Sequence, residues 1–386
     1  MEECPLSMKR YDVVIVLLII VFASCDLFRG YLDSSIINAF FSLKELLLVS
    51  LFVLYANKIG LCVNRSFLFV SILFLTYCSL NTRSIDETFL FFIYLKYLIV
   101  YYLCYVIFVN TRKEILQKAA NILLAIFFFY SLFSIFQLTI YPDSLVRSGR
   151  MSGFANPSYL SYIYLLCFLF AYKQRSFYMG IWFIIVGFLT LTKTFFVVFL
   201  LVLIYLVIYS SKRFKLLSII LILSPCMYYV VQQNQDVFIT FNRAITVLTD
   251  SESGEYNSLE DRFSKISDFK KNNDGTFIWG YGTGKAGPAT IFASEKMNKD
   301  FPHTVDFENQ FLNIYFSLGF LGLLLFYYPF YNKAKYLLFN RNFKNKHIIR
   351  LFFLVFLLYN MTLNILESFT ACIISLLFLI LYEKEY

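Results

Sequence analysis

Long apolar runs broken by short polar connections recur along the whole chain. A helix crossing the hydrocarbon layer needs about 20 mostly apolar residues. On that ruler about twelve segments qualify, near 11–28, 36–56, 64–80, 88–109, 117–141, 158–173, 177–192, 194–210, 214–231, 308–331, 348–366 and 368–382. Those at 64–80, 177–192, 194–210 and 368–382 are short for a span. The pattern predicts an all-α polytopic integral membrane protein, with residues 1–231 holding the first nine spans, 232–307 one long polar loop, and 308–386 the last three. Within the loop a short amphipathic helix is expected at Leu259–Phe269. A structureless loop of that length would be unusual unless it were functional.

The cations then orient the spans. Lys9/Arg10, Lys58/Arg65, Arg112/Lys113/Lys118, Lys173/Arg175, Lys212/Arg213/Lys215, the 333–350 cluster and Lys384 fall in alternate connections. The opposite short connections hold only Arg29, Arg83, Arg147, Arg150 and Lys193. Positive residues stay cytoplasmic, so both termini are expected inside, and 142–157 and 232–307 outside. No small-residue cleavage site follows the first apolar run convincingly, so it reads as a retained span.

Composition agrees: 59% of residues are hydrophobic and 15% charged, against about 25% charged in soluble domains. The net charge of +9 is accounted for by span ends and argues against nucleic acid as a partner. None of Cys4, Cys25, Cys62, Cys78, Cys104, Cys167, Cys226 and Cys372 lies in the long loop, and none forms a CxxC pair. His303 and His347 are the only histidines. Neither disulfides nor a metal site is expected.

Polar constellations on the expected outer side carry the candidate chemistry. In VRSGRMSGFANPSY, Asn156 is suited to cap a helix and Pro157 to begin it. Arg147 and Arg150 stand beside that helix start, where free N–H groups and the dipole favour an anion. A loop whose arginines touch lipid headgroups is the plainer alternative. IWGYGTGKAG sets Gly280, Gly282, Gly284 and Gly287 around Lys285. Its spacing is not that of a Walker loop, but such turns can bring N–H groups to an anion; a surface turn is the alternative. In PHTVDFENQFLN, His303, Asp306 and Glu308 precede a span as candidate bases. Asn309 and Asn313 share a helical face, and Gly319 and Gly322 permit close helix approach. Lys44, Glu45 and Lys96 lie within spans, with a Glu45–Lys96 pair expected, and Asn360, Asn364 and Glu367 form an i, i+4, i+7 stripe.

In this order the features resemble the O-antigen polymerase (Wzy-type) and O-antigen ligase superfamily, over about residues 110–330. The matching elements are Arg150-Met-Ser-Gly153-Phe-Ala-Asn156-Pro157, and Thr192-Lys193-Thr194 with Lys in place of the usual Arg. Arg262 in the loop helix, Gly280-Tyr-Gly282, and Glu308-Asn309 with Leu312, Gly319 and Gly322 follow. Ligase-like members usually carry His directly before the Asn; Glu308 stands there, which tilts the reading toward polymerase. The resemblance implies a GT-C-like glycosyltransferase architecture in the bacterial cytoplasmic (inner) membrane. It implies donor and acceptor glycans carried on undecaprenyl pyrophosphate, no cofactor, and a chain-length regulator and a flippase as possible partners. In that frame Arg150 and Arg262 stabilise the departing pyrophosphate, and Arg147, Lys193 and Lys285 support them. Gly153, Asn156, Gly280, Gly282, Asn309 and Asn313 contribute to substrate binding, and Glu308, Asp306 or His303 receives the acceptor proton. A ligase and a lipid-linked oligosaccharide flippase or transporter are the alternatives.

Overall fold

The computed structural model describes residues 65–82, 101–140, 156–209, 258–287, 304–339 and 346–384, with a few isolated positions before residue 92. The expected spans near 11–28, 36–56 and 214–231 lie largely or wholly outside the described residues. So do Lys44, Glu45, Lys96, Arg147, Arg150, Gly153, His303 and the side chains of Arg262 and Glu367. Among the described residues the structure is helical apart from two isolated bridges. The helices are α1 (Arg65–Leu80), α2 (Lys113–Ile140), α3 (Pro157–Lys173), α4 (Phe177–Leu189), α5 (Lys193–Tyr209), α6 (Ser258–Asn272), α7 (Gln310–Phe339), α8 (Lys346–Asn360) and α9 (Phe369–Glu383). Residues 101–110 are also helical.

Two stretches, Lys113–Gln137 and Gln310–Tyr328, are long and apolar enough to cross a membrane, and less than half of either is buried within the chain. A soluble core helix of that composition would be mostly covered. Here Phe129, Phe133 and Phe136 on α2 and Leu200, Ile204 and Ile208 on α5 are exposed instead, as a lipid-facing surface requires.

The chain divides into two compact units. One holds Met1–Ala125, Ser264–Lys346 and Asn360–Tyr386; the other holds Ile126–Phe263 and His347–Tyr359. In the second, α3, α4 and α5 pack as consecutive hairpins. Asn156 caps α3 by accepting from the Ser158 N–H at 2.9 Å, with Pro157 in the first helical position. Gly187 makes room for the Phe195 ring, which a Cβ would meet at 2.2 Å. Phe195 and Phe199 stack on each other there, and Phe188 meets both rings edge to face. The Ser161 and Tyr359 hydroxyls meet at 3.0 Å, and the Trp182 indole donates to the Ser131 hydroxyl at 2.7 Å.

In the first unit α7 packs on α1, through Phe74, Tyr77 and Cys78 against Ile314 and Leu318. The sequence predicts a plain span here, but α7 breaks at Gly319, where φ is 66° and ψ −171°. The glycine-rich segment Thr276–Gly287 enters the break. Tyr281 and Gly282 donate their N–H groups to the carbonyls of Phe316 (2.8 Å) and Ser317 (3.1 Å). Phe320 donates to the Phe277 carbonyl at 3.0 Å. From α1, the Tyr77 hydroxyl donates to the Leu318 carbonyl at 2.6 Å, and the Asn81 carboxamide to the carbonyls of Trp279 and Ser317.

The stripe expected at Asn360, Asn364 and Glu367 is corrected by the structure. α8 ends at Asn360, and a turn leads to a short 3₁₀ segment, Ile365–Glu367, before α9. The carboxamides have other partners that a continuous helix would not offer: Asn360 accepts from the Tyr327 hydroxyl at 3.2 Å, and Asn364 bonds to Asn313. The far end of this unit is charged. Lys333 pairs with Glu383 and lies 5.8 Å over the Tyr105 ring, and Lys384 donates to the Thr111 carbonyl.

Gly319 should be irreplaceable. A Cβ there would sit 2.1 Å from the Ile278 oxygen and 2.5 Å from the Gly280 nitrogen. The positive φ alone costs a side-chain-bearing residue about 1–3 kcal/mol. Gly319→Ala and Gly280→Ala are expected to lower the thermal midpoint in detergent sharply. Gly180→Ala, whose nearest neighbour is a ring carbon at 3.7 Å, should leave the midpoint unchanged or raised.

Burial depresses Lys384 to about 8, with Glu383 opposing the shift and Lys333 reinforcing it. The charged ammonium is therefore penalised in the folded state, and the unfolded chain binds more protons between about pH 8 and the ordinary lysine value. Stability should rise with pH through that window more steeply in the native chain than in Lys384→Met, as read by unfolding midpoints at a series of pH values.

Candidate functional site

The residues preceding α7 form a compact polar node. Asn309 caps the helix, its side-chain oxygen accepting from the Leu312 N–H at 3.1 Å. Glu308 sits just before it at φ 51°, a left-handed conformation uncommon for a non-glycine residue, and its side chain is exposed. Asp306 stabilises that turn, because its Oδ1 accepts the Glu308 N–H at 2.9 Å. The same oxygen accepts from the carboxamides of Asn313 (2.8 Å) and Asn364 (3.3 Å). All three bonds converge on Oδ1, so Oδ2 has no partner among the described residues. Asn313 is fully buried. Its oxygen accepts from the Phe307 N–H at 3.0 Å, and its nitrogen also donates to Asn364 at 2.9 Å.

Gln310 completes the node. Its oxygen accepts from the Leu366 N–H at 2.9 Å. Its buried nitrogen has no hydrogen-bond partner among the described residues. Such a donor costs about 1–3 kcal/mol unless a water or a ligand hydroxyl reaches it.

The glycine-rich segment lies alongside. Residues 285–287 pair in parallel with Val305: Val305 donates to the Lys285 carbonyl at 3.1 Å, and Gly287 donates to Val305 at 2.8 Å. Lys285 is thereby level with Thr304, two residues from Asp306, and its ammonium donates to the Asn273 oxygen at 3.2 Å. Beneath it Phe269, Ala286, Phe307 and Phe316 form a dry cluster, with Lys270 5.8 Å from the Phe316 ring centre.

Several expected residues are therefore brought together in one unit: Gly280, Gly282, Lys285, Asp306, Glu308, Asn309 and Asn313. The N–H groups of Gly280 and Gly282 face Thr276 and the broken helix rather than an open anion cradle. Asn156 and Lys193 belong to the other unit. Asn156 caps its helix as expected. Lys193 opens α5 with an exposed side chain after a tight turn in which Leu191 has φ 50°. Sequence reading passed over Asn364 as a partner of Asp306, and Gln310, Lys270, Tyr77 and Asn81 altogether. The clustering of Asn309, Gln310 and Asn313 around one helix start was the available signal for Gln310.

Comparison with known proteins bears on this geometry. Residues 178–327 match the family model described as O-antigen ligase. The match covers α4, α5, the glycine-rich segment, the polar node and the break in α7. No curated protein matches the sequence.

Asn313 should be the structural centre of the node. Asn313→Leu strands the Phe307 N–H and removes donors from Asp306 and Asn364, each loss being worth about 1–3 kcal/mol. Asn309→Ala removes one cap bond worth ~1 kcal/mol. Chemical unfolding in detergent should rank Asn313→Leu as clearly the more damaging; equal effects would contradict the network.

Proposed function

We propose that this chain is a repeat-unit polymerase of surface polysaccharide, O-antigen or capsule. It moves a growing glycan from undecaprenyl pyrophosphate onto the non-reducing end of a new lipid-linked unit. The observation that carries the reading is Glu308: a carboxylate displayed at the head of α7 by a strained turn, where ligase-like relatives usually carry His. Strained, exposed, over-determined residues of this kind cluster at functional sites.

In the reaction an acceptor sugar hydroxyl attacks the anomeric carbon of the donor. The bond from that carbon to the pyrophosphate oxygen breaks, and the electron pair leaves with the pyrophosphate. The hydroxyl proton passes to Glu308, which lies within the matched stretch. Asp306, fixed through Oδ1, offers Oδ2 to orient the hydroxyl. Arg150 and Arg262 counter the charge growing on the pyrophosphate, with Arg147, Lys193 and Lys285 adding to the field. Preorganised donors of this kind are worth about 10²–10³ in rate each. The chain-length regulator and flippase that such a pathway employs are partners in this reading, and the inner membrane its location.

A ligase, which would pass finished glycan to a lipid core or protein, is the second reading; the description of the matched family favours it. Purified chain given only lipid-pyrophosphate-linked repeat units separates the two: a ladder of longer lipid-linked glycans identifies a polymerase, and transfer that needs a lipid-core acceptor identifies a ligase. Arg150→Ala and Arg262→Ala should each reduce ladder formation by about 10²–10³-fold, while single lipid-linked units accumulate. Glu308→Gln should do so by about 10²–10⁴-fold, with His303→Ala keeping its ladder. Full-length ladders from Glu308→Gln would remove Glu308 from the mechanism.

A further inference from the structure

The turn Phe277-Ile278-Trp279, within the polar loop, is apolar and exposed, at 65%, 54% and 50%. It belongs to the segment that enters the break in α7, and it continues the exposed apolar flank of that helix at Phe320 and Leu324. Phe277 stacks on Phe320 with ring centres 5.7 Å apart, and Trp279 stacks on Tyr77 at 5.5 Å.

Two further observations say what surrounds this tip. The first is the hydrogen bonding of its backbone. The carbonyls of Thr276 and Gly280 accept from each other's N–H groups, and that of Phe277 accepts from Phe320. That of Ile278 accepts from Leu321, and that of Trp279 from the Asn81 carboxamide. The Trp279 N–H donates to the Thr276 hydroxyl at 3.2 Å. An exposed turn in water leaves such carbonyls to solvent; here all five carbonyls have internal partners, as hydrocarbon requires of them, and only the N–H groups of Phe277 and Ile278 have none among the described residues.

The second is depth. α1 and α7 run antiparallel, since Phe74 meets Phe326 while Asn81 meets Ser317. From Gly319 to Lys333, where the charged end of the unit begins, the helix runs about 21 Å at ~1.5 Å per residue. From Tyr77 back to Arg65, α1 runs about 18 Å on the same rise. A hydrocarbon layer is about 30 Å thick, so the level of Gly319 lies about 9–12 Å inside its opposite boundary.

We propose that residues 276–282 form a re-entrant turn, and that the Phe277–Trp279 tip is an anchor embedded among the acyl chains of one leaflet. The loop 232–307 is then not wholly extramembranous: it returns to the bilayer at this point before reaching the polar node. This proposal stands independently of the transferase reading.

Trp279 and Trp182 are the two tryptophans in the chain, so fluorescence tests the proposal directly. Trp182→Phe leaves Trp279 alone. Trp279→Phe leaves Trp182 alone, and subtracting its signal from that of the native chain gives Trp279 without relying on one variant. In phosphatidylcholine vesicles, lipids brominated along the acyl chain should quench Trp279 several-fold more than aqueous iodide does. Efficient quenching by iodide, with brominated chains silent, would place the tip in water and overturn the proposal. Insensitivity to both quenchers would mean that another part of the protein covers the tip, and would overturn it equally.

Discussion

A helix that breaks inside an apolar stretch frees carbonyls that nothing in hydrocarbon can satisfy. In this chain the break is at Gly319, and the freed carbonyls belong to Phe316, Ser317 and Leu318. The chain answers from two directions: backbone donors from Tyr281 and Gly282, and side-chain donors from Tyr77 and Asn81. Neither set would be sufficient without the other, because the carbonyls point both toward the glycine-rich segment and toward α1. Gly280 and Gly319 meet backbone to backbone, at distances no Cβ could occupy. The break, the entering segment and the packing of α1 on α7 are thus one structural unit, and each presupposes the other two.

The polar node inherits its rigidity from that unit. The segment that clasps the break continues into residues 285–287, whose pairing with Val305 sets the register of Asp306 and Glu308. The Ser317 hydroxyl bridges the N–H and carbonyl of Ala286, at 3.0 and 2.9 Å, so the clasp and the helix stay aligned. Asn313 lies on α7 six residues before the break, and its carboxamide ties the node to the connection between α8 and α9 through Asn364. A site built this way rests on three chain segments far apart in sequence, which is how a loop can hold acceptor atoms steadily beside a membrane.

Much of this was legible in the residues, and the part that was not has identifiable reasons. Asn156-Pro157 read as a helix start because a cap and a proline act locally, and α3 begins there. The expected helix at Leu259–Phe269 forms, slightly longer, since amphipathic spacing is also local. Gly319 and Gly322 read as sites of close approach. For Gly319 that was right in kind, but the partner is a loop glycine, which no helical periodicity could announce. Gly280 and Gly282 read as an anion cradle because positive-φ glycines serve cradles and clasps alike; only the destination of their N–H groups separates the two. The polar stripe at Asn360 and Asn364 was counted on a helix that ends at Asn360. Tyr77 and Asn81 escaped notice because a tyrosine within a span and an asparagine after one are ordinary.

Glu308 gathers these threads. A glycine would occupy φ 51° without strain, yet the chain places a charged side chain there and stabilises the turn with the Asp306 carboxylate. Asn313, Asn364 and the Glu308 N–H all converge on one oxygen of Asp306. Asp306 is thereby committed to the scaffold through Oδ1, while Glu308 is displayed outward. A structural role would be met by the first carboxylate alone. The second is held in a left-handed turn on an exposed surface, at a conformational cost that the Asp306 bond to its N–H helps to offset.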